Sequence, residues 1–246
     1  MSKLPWLSDL DLTFPDIDNA MADPNGLLAA GGDLSAERLL CAYQSGIFPW
    51  FEDDQPILWW SPDPRCVIDP STFKPSKSLK KTLRRGDYTL SIDTAFDQVI
   101  SQCRTRGGLD SQGLGTWITD DMQEAYIELH KAGYAHSFEC YFDNELVGGL
   151  YGVSLGRLFF GESMFHRKAD ASKIAFAGLM SVMKQNHCPL VDCQMGNDHL
   201  YSLGAMDIPR DVFKRILNDS AEVDTDADAI NWQALRGPFT LNVAFH

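Results

Sequence analysis

The chain of 246 residues is 44% hydrophobic, enough to fill the core of one large domain or two unequal ones. Its formal net charge of −13 argues against unspecific affinity for nucleic acid, because phosphate contacts need Lys and Arg. No apolar run approaches the roughly 20 residues of a membrane helix, the N-terminus lacks a signal-peptide core, and six scattered cysteines without a CxxC pair fit a reducing compartment, so no membrane partner and a cytoplasmic location are expected.

Up to about Asp63 turn formers and tryptophan dominate, so residues 1–63 read as a small N-terminal domain and residues 64–246 as a larger one. The small domain has room for one helix, capped by Ser35, carrying Leu39, Leu40 and Tyr43, and stopped at Gly46. Ile47-Phe48-Pro49-Trp50-Phe51 and Trp59-Trp60-Ser61-Pro62-Asp63-Pro64-Arg65 set aromatics beside prolines, either as a rigid stacking wall or as the core of a domain short of other apolar residues. Lys74, Lys77, Lys80, Lys81, Arg84 and Arg85 then stand together with no acidic residue among them. Ser76 caps a short helix there, Leu79 and Leu83 face inward and Gly86 ends it, leaving the cations exposed as a solvated face or as the seat of an anionic partner.

Tyr88 to Ile92 reads as a strand, Phe96, Val99, Ile100 and Cys103 repeat at helical spacing, and Arg104 to Leu114 reads as a Gly-rich polar loop. Thr119 caps a helix whose Met122, Tyr126 and Leu129 share a face, read from their spacing as core in preference to site. Ser137 to Phe142, Glu145 to Val153 and Arg157 to Gly161, with turns at Asp143-Asn144 and Leu155-Gly156, predict an antiparallel meander. Gly148, Gly149 and Gly152 thin its middle strand, which suggests a bulge or the close approach of a ligand. A helix from Ser172, with Phe176, Leu179, Met180 and Met183 on one face, leads to a strand from Pro189 to Met195. Strand, helix and strand in that order lay the second strand parallel to the first, with Glu162 at a strand's C-terminal lip beside Asp192 and Gln194. Singly each is an ordinary polar residue at a strand end; three on one edge read as a site. A charged tail (Asp219, Glu222, Asp224, Asp226, Asp228) reads as loosely held, and Phe239 to Phe245 as a closing strand. The element order is that of an α+β mixed sheet, and it resembles the acetyltransferase-like (GNAT) fold.

There is no GxSxG elbow, P-loop or GxGxxG, and His187, Cys188, Cys193 and His199 match no zinc spacing, so no metal is expected. The turn Arg167-Lys168-Ala169-Asp170-Ala171-Ser172 lacks the glycines that would cradle the pyrophosphate of CoA. Two carboxylates and an amide without nucleophile or metal suit transfer from a donor that is already activated, such as an aminoacyl ester. An attacking α-amine, of reference pKa about 7.7–8.0, is roughly 10–20% neutral at pH 7. Such a site has only to position two substrates, take up one proton and stabilise an oxyanion.

Pro24-Asn25-Gly26-Leu27-Leu28, Gly31-Gly32-Asp33-Leu34-Ser35, the segment from Ala42 to Phe51 and that from Trp59 to Arg65 resemble the N-terminal signature of the bacterial leucyl/phenylalanyl-tRNA–protein transferases. Gly115-Thr116-Trp117-Ile118-Thr119, Val147 to Val153, Gly161-Glu162-Ser163-Met164-Phe165, Ala171-Ser172-Lys173, Asp192-Cys193-Gln194 and Asn197-Asp198-His199 continue the resemblance, which covers about residues 14–215. It implies an enzyme without cofactor that transfers Leu or Phe, and less well Met, from aminoacyl-tRNA to proteins bearing N-terminal Arg or Lys, marking them for degradation by the N-end rule. Position by position, it implies that Glu162, Asp192 and Gln194 are catalytic and that Tyr43, Trp50, Trp117, Tyr126 and Asn197 hold the terminal adenosine of the tRNA. It places Leu150, Phe159, Met164, Phe176, Leu179 and Met183 around the Leu or Phe side chain. Lys77, Lys80, Lys81, Arg84 and Arg85 would then contact the acceptor stem of Leu-tRNA or Phe-tRNA, and the chain is read as a monomer. The alternatives are an acyl-CoA-dependent N-acyltransferase of the same fold and a non-catalytic tRNA-binding module.

Overall fold

Two sheets, one behind each half of the predicted site, organise the computed structural model, which describes residues 4–110, 118–221 and 230–241. The smaller sheet takes β1 (Trp6–Leu7), β2 (Leu27–Gly31), β3 (Phe48–Pro49) and β4 (Leu58–Trp60) in the order β1-β2-β4-β3. Helix α1 (Ala36–Gln44) forms where expected: the Ser35 hydroxyl accepts from the Arg38 amide at 3.3 Å, Gly46 leaves the helix at φ +74°, and Leu39, Ala42 and Tyr43 are buried.

The larger sheet holds eight strands: β5 (Arg65–Ile68), β6 (Tyr88–Ile92), β7 (Ala135–Phe142), β8 (Glu145–Leu155), β9 (Leu158–His166), β10 (Val191–Gln194), β11 (Met206–Ile208) and β12 (Gly237–Phe239). Their order is β11-β5-β10-β9-β8-β7-β6-β12. The basic helix is α2 (Lys77–Arg85), α3 (Phe96–Asp110) and α4 (Asp120–Lys131) follow β6, and α5 (Ala171–Gln185) crosses between β9 and β10. Short helices α6 (Asp198–Ser202), α7 (Arg210–Ala221) and α8 (Trp232–Leu235) complete the chain. The β7-β8-β9 meander is antiparallel, and β10 joins β9 in parallel with Val191 opposite Phe159 and Asp192 opposite Phe160, as strand, helix and strand in sequence predict. This is the α+β element order expected of a GNAT-like sheet.

Alternation along β9 sends neighbouring aromatics to opposite faces. Phe159 joins the core under α5, while Phe160 joins the core that α1, α3, α4 and the smaller sheet share. Burial of each such ring is worth about 2–3 kcal/mol, and it fixes which face of β9 meets which helix. Helix α5 was expected to be amphipathic, yet it is buried from Ala171 to Met183 except for Lys173, because α2 packs over its outer side.

Four expectations need correction. Helix α3 continues through Arg104 to Asp110, so these residues are helical where composition suggests a loop, and 111–114 lie outside the described residues. Of the two readings of the β8 glycines the bulge holds, with register shifts at Gly152 and beside Gly148, and the ligand does not: a Cβ on Gly148 would lie 2.6 Å from that of Ala171 and one on Gly152 2.2 Å from the Phe160 carbonyl oxygen, so these glycines admit α5 and the neighbouring strand. The last strand is β12, sharing only Phe239 with the predicted one; residues 242–246 and the acidic residues Glu222, Asp224, Asp226 and Asp228 lie outside the described residues. Strand β9 runs on to His166, so Glu162 stands within a strand and not at its end.

Candidate active site

Register explains how a residue inside a strand reaches solvent. Tyr151 pairs with Ser163 and Gly152 with Gly161, leaving Glu162 as the extra residue of a bulge in β9. On the adjoining strand Asp192 pairs with Val67 and Gln194 with Cys66, leaving Cys193 as the extra residue of a second bulge. The two irregularities turn side chains of neighbouring strands towards each other. Gln194 holds φ at +63°, a region that costs a non-glycine residue on the order of 1 kcal/mol or more.

Glu162 accepts three hydrogen bonds: from the Tyr43 hydroxyl at 2.7 Å, the Tyr126 hydroxyl at 3.1 Å and the Gln194 side-chain amide at 2.8 Å. The Tyr43 and Tyr126 hydroxyls also touch each other. Burial raises the carboxyl pKa, the nearby Asp192 charge adds to the rise, and the three donors oppose it; the balance leaves Glu162 at about 7. Burial and the Glu162 charge push both phenols well above their ordinary range, so they remain protonated donors.

Asp192 is fully buried and paired with Arg65, whose Nε and Nη2 reach its two oxygens at 2.9 and 2.7 Å. The guanidinium is sandwiched by Phe48 and Phe213, with ring centroids 4.9 and 4.6 Å away. Oδ1 of Asp192 also accepts the Gln194 backbone N–H at 2.9 Å. A chain therefore runs from Arg65 through Asp192 to the Gln194 backbone and from the Gln194 side chain to Glu162. Arg65 received no role from the sequence beyond ending the Trp59–Arg65 motif; the one signal for its buried ion pair is an arginine opening an apolar run, Arg65-Cys66-Val67-Ile68, where a charge must find a buried partner.

This chain borders a cavity of about 730 Å³, a size suited to a small organic ligand. Of the residues expected at the site, Trp50, Leu150, Glu162, Met164, Phe176, Leu179, Gln194 and Asn197 line it. Trp50 is 39% exposed and rests edge-on against Trp60, whose indole N–H donates to the Trp50 carbonyl at 2.7 Å. Phe159 and Met183, expected on the pocket wall, are instead fully buried in the core behind it. Tyr43 and Tyr126 show no exposed surface, so they offer no face on which a base could stack; what they present to the site is their hydroxyls, through Glu162. The helical spacing that marked Tyr126 as core was therefore sound for its ring. Trp117 lies outside the described residues. Lys77, Lys81, Arg84 and Arg85 are exposed on α2 and Lys80 is partly covered, with the Ser76 cap and Gly86 stop in the expected places.

The tuning of Glu162 carries a stability consequence. A carboxyl with a raised folded-state pKa binds its proton more tightly when folded, so its contribution to stability is present below about 4.5 and lost as the pH rises through about 7. Ionised Glu162 thus opposes folding at pH 8, by up to about 3 kcal/mol. Glu162→Gln is expected to raise Tm at pH 8 and to make little difference at pH 4, measured by thermal denaturation of both proteins. The same Tm difference at both values would show that the carboxyl is not so tuned.

Two family patterns cover most of the chain: "Leucyl/phenylalanyl-tRNA protein transferase" over residues 67–218, and the N-terminal domain of that family over residues 32–63. Curated relatives named "Leucyl/phenylalanyl-tRNA--protein transferase" include one from Chromobacterium violaceum, 53% identical over 88% of this chain and 91% of its own. Another, from Pseudomonas syringae pv. syringae, is 50% identical over 95% and 99% of the two chains, and one from Pseudomonas putida is 56% identical over 85% and 92%. Among solved structures, an acetyl transferase from Salmonella typhimurium that modifies the N-terminal serine of a ribosomal protein matches 47% of this chain and 77% of its own, at 15% identity and a TM-score of 0.34, a likeness too slight to build on. A bulged pair of strands carrying Glu162 and Gln194 over an apolar cavity, together with these matches, places the chain: it belongs to the leucyl/phenylalanyl-tRNA protein transferase family, whose members are transferases.

Proposed function

We propose that the protein transfers Leu or Phe, and less well Met, from aminoacyl-tRNA to the α-amine of proteins beginning with Arg or Lys, creating a signal for their degradation. The observation that carries this reading is the Glu162–Gln194 hydrogen bond at the wall of a cavity otherwise lined by Leu150, Met164, Phe176 and Leu179. Those four side chains receive the amino acid. Trp50 stacks on the terminal adenine, an interaction worth about 1–3 kcal/mol, with Asn197 beside it. Tyr43 and Tyr126 serve the tRNA end indirectly, by fixing Glu162.

With Nε2 of Gln194 given to Glu162, its Oε1 is the atom left to accept from the incoming amine. The amine nitrogen attacks the ester carbonyl carbon, and the bond from that carbon to the ribose oxygen breaks. The amine gives up one proton and the ribose oxygen gains one. Glu162, with its pKa of about 7, is matched to an amine of about 7.7–8.0 and is positioned to take that proton; its charge also favours an acceptor with a cationic side chain.

The test is incubation with radiolabelled Leu-tRNA and a casein fragment beginning with Arg, with and without ribonuclease. Label should pass to the α-amine of the fragment only while the tRNA is intact. No transfer, with CoA binding detected by calorimetry, would favour an acyl-CoA enzyme. Specific tRNA binding without transfer would leave a binding module.

On α2, Lys77, Lys81 and Arg84 fall three or four residues apart and all are exposed, one stripe on an acidic protein. They are assigned to the acceptor stem. Lys77→Glu with Arg84→Glu is expected to weaken binding of any tRNA alike and to make the slope of log K against log salt shallower by about 1–2. Affinity indifferent to both salt and these changes would remove α2 from the interface.

A further inference from the structure

The mechanism leaves one feature of the cavity wall unused, a pair of thiols set against the Gln194 bulge. We propose that Cys66 and Cys193 are a modification site, forming a reversible disulfide on exposure to peroxide that silences transfer.

A bulge sets two residues of one strand opposite one of its partner, and here Cys193 and Gln194 together face Cys66 across the β5–β10 pair. The Cα partner of Cys66 is Gln194, Cα atoms so paired in a regular antiparallel ladder stand about 4.5–5.5 Å apart, and Cys193 is the next residue along the bulge. Each thiol shifts the other's titration, Cys66 down and Cys193 up, as neighbouring sulfurs do. Both are free cysteines; Cys66 is fully buried and Cys193 lies on the cavity wall, where a small oxidant can reach it. The neighbouring Cys193 thiol, with a smaller contribution from Arg65, lowers the pKa of Cys66 against burial and the charges of Asp207 and Asp192. The same interaction, with burial, raises the Cys193 thiol, the sulfur that faces the cavity, well above its ordinary value, so Cys66 is the more acidic of the two.

The chemistry balances with peroxide as the oxidant. The Cys193 sulfur attacks a peroxide oxygen; an S–O bond forms, the O–O bond breaks, and the departing hydroxide takes the thiol proton and leaves as water. The Cys66 sulfur attacks the resulting sulfenic acid; the S–S bond forms, the S–O bond breaks, and the second hydroxide leaves with the Cys66 proton as water. The two sulfurs lose two electrons and the peroxide gains them. A dithiol reductant reverses the change.

Cys193 lies between Asp192, which holds the Gln194 backbone, and Gln194, which holds Glu162. Drawing Cys193 onto Cys66 displaces both from their present positions. A misplacement of about 1 Å in such a site lowers the rate about 100-fold. Silencing rests on the proposed transfer activity, whereas the disulfide itself is read separately by mass.

The purified protein is treated with hydrogen peroxide, desalted, and examined as intact protein and as a non-reduced peptide map, with Leu transfer assayed before and after dithiothreitol. The expected result is loss of two hydrogens, a Cys66–Cys193 cross-linked peptide and transfer lowered about 100-fold, all restored by dithiothreitol. Cys66→Ala should keep basal transfer, form no cross-link and resist that reversible inhibition. Absence of the cross-linked peptide overturns the proposal, as does equal, dithiothreitol-reversible inhibition of Cys66→Ala. A cross-linked protein that still transfers Leu at the reduced rate overturns the switch. A protein that forms the bond but transfers no Leu even when reduced sinks the transfer reading and leaves the bond standing.

Discussion

Gln194→Ala is expected to lower kcat about 100- to 1,000-fold while leaving the Kd for Leu-tRNA within about twofold. The side chain makes one of the three hydrogen bonds to Glu162 and, in the proposed mechanism, supplies the acceptor oxygen for the incoming amine, so its loss would remove contacts made as the reaction proceeds. The apolar wall and Trp50, to which donor binding is proposed, are untouched. The backbone N–H that Asp192 holds survives in alanine, so the fold of the bulge should persist. An equal fall in kcat and affinity would make Gln194 a binding residue and not a catalytic one.

The second large effect falls on Arg65, which is buried behind the cavity and does not line it. Arg65→Ala leaves the Asp192 carboxylate buried and unpaired, which is expected to destabilise the protein by about 3–5 kcal/mol. Replacing both partners, Arg65→Met with Asp192→Leu, removes the uncompensated charge and should recover most of that stability in urea denaturation. It should not recover turnover, because nothing then accepts the Gln194 backbone N–H or holds φ at +63°. A double variant that regains both stability and full activity would reduce the ion pair to a structural tie. This split between stability in urea and kcat separates positioning from mere folding.

Much of this arrangement can be read from the sequence because it depends on order along the chain. Strand, helix and strand from Arg157 to Gln194 allow few topologies, and that alone brings Glu162, Asp192 and Gln194 to one edge. The caps at Ser35, Ser76 and Thr119 are local and appear where expected. What stayed hidden depends on residues far apart or on irregularity. Arg65 and Asp192 are 127 positions apart, and Tyr43 meets Glu162 across 119. Periodicity identifies a buried tyrosine but cannot say where its hydroxyl goes. The two bulges each insert one residue into an otherwise regular ladder, so a period of two leads to a strand end at Gly161 where the strand in fact bends and continues. Phe159, which the family resemblance set on the pocket wall, lies behind it: the sequence shows adjacent aromatics, but register decides which of Phe159 and Phe160 faces which core.

At the centre of the account is a single carboxylate, buried enough to titrate near neutrality and held by Gln194 where an amine must lose a proton. Following the side-chain carboxyls of ¹³C-glutamate-labelled protein by NMR as a function of pH, alongside single-turnover Leu transfer, addresses it directly. The predicted result is one glutamate with a midpoint of about 7, absent from Glu162→Gln, and transfer that depends on its ionised form. If every glutamate titrated near its ordinary value of about 4.3, or Glu162→Gln transferred Leu at the unaltered rate, that account would be contradicted.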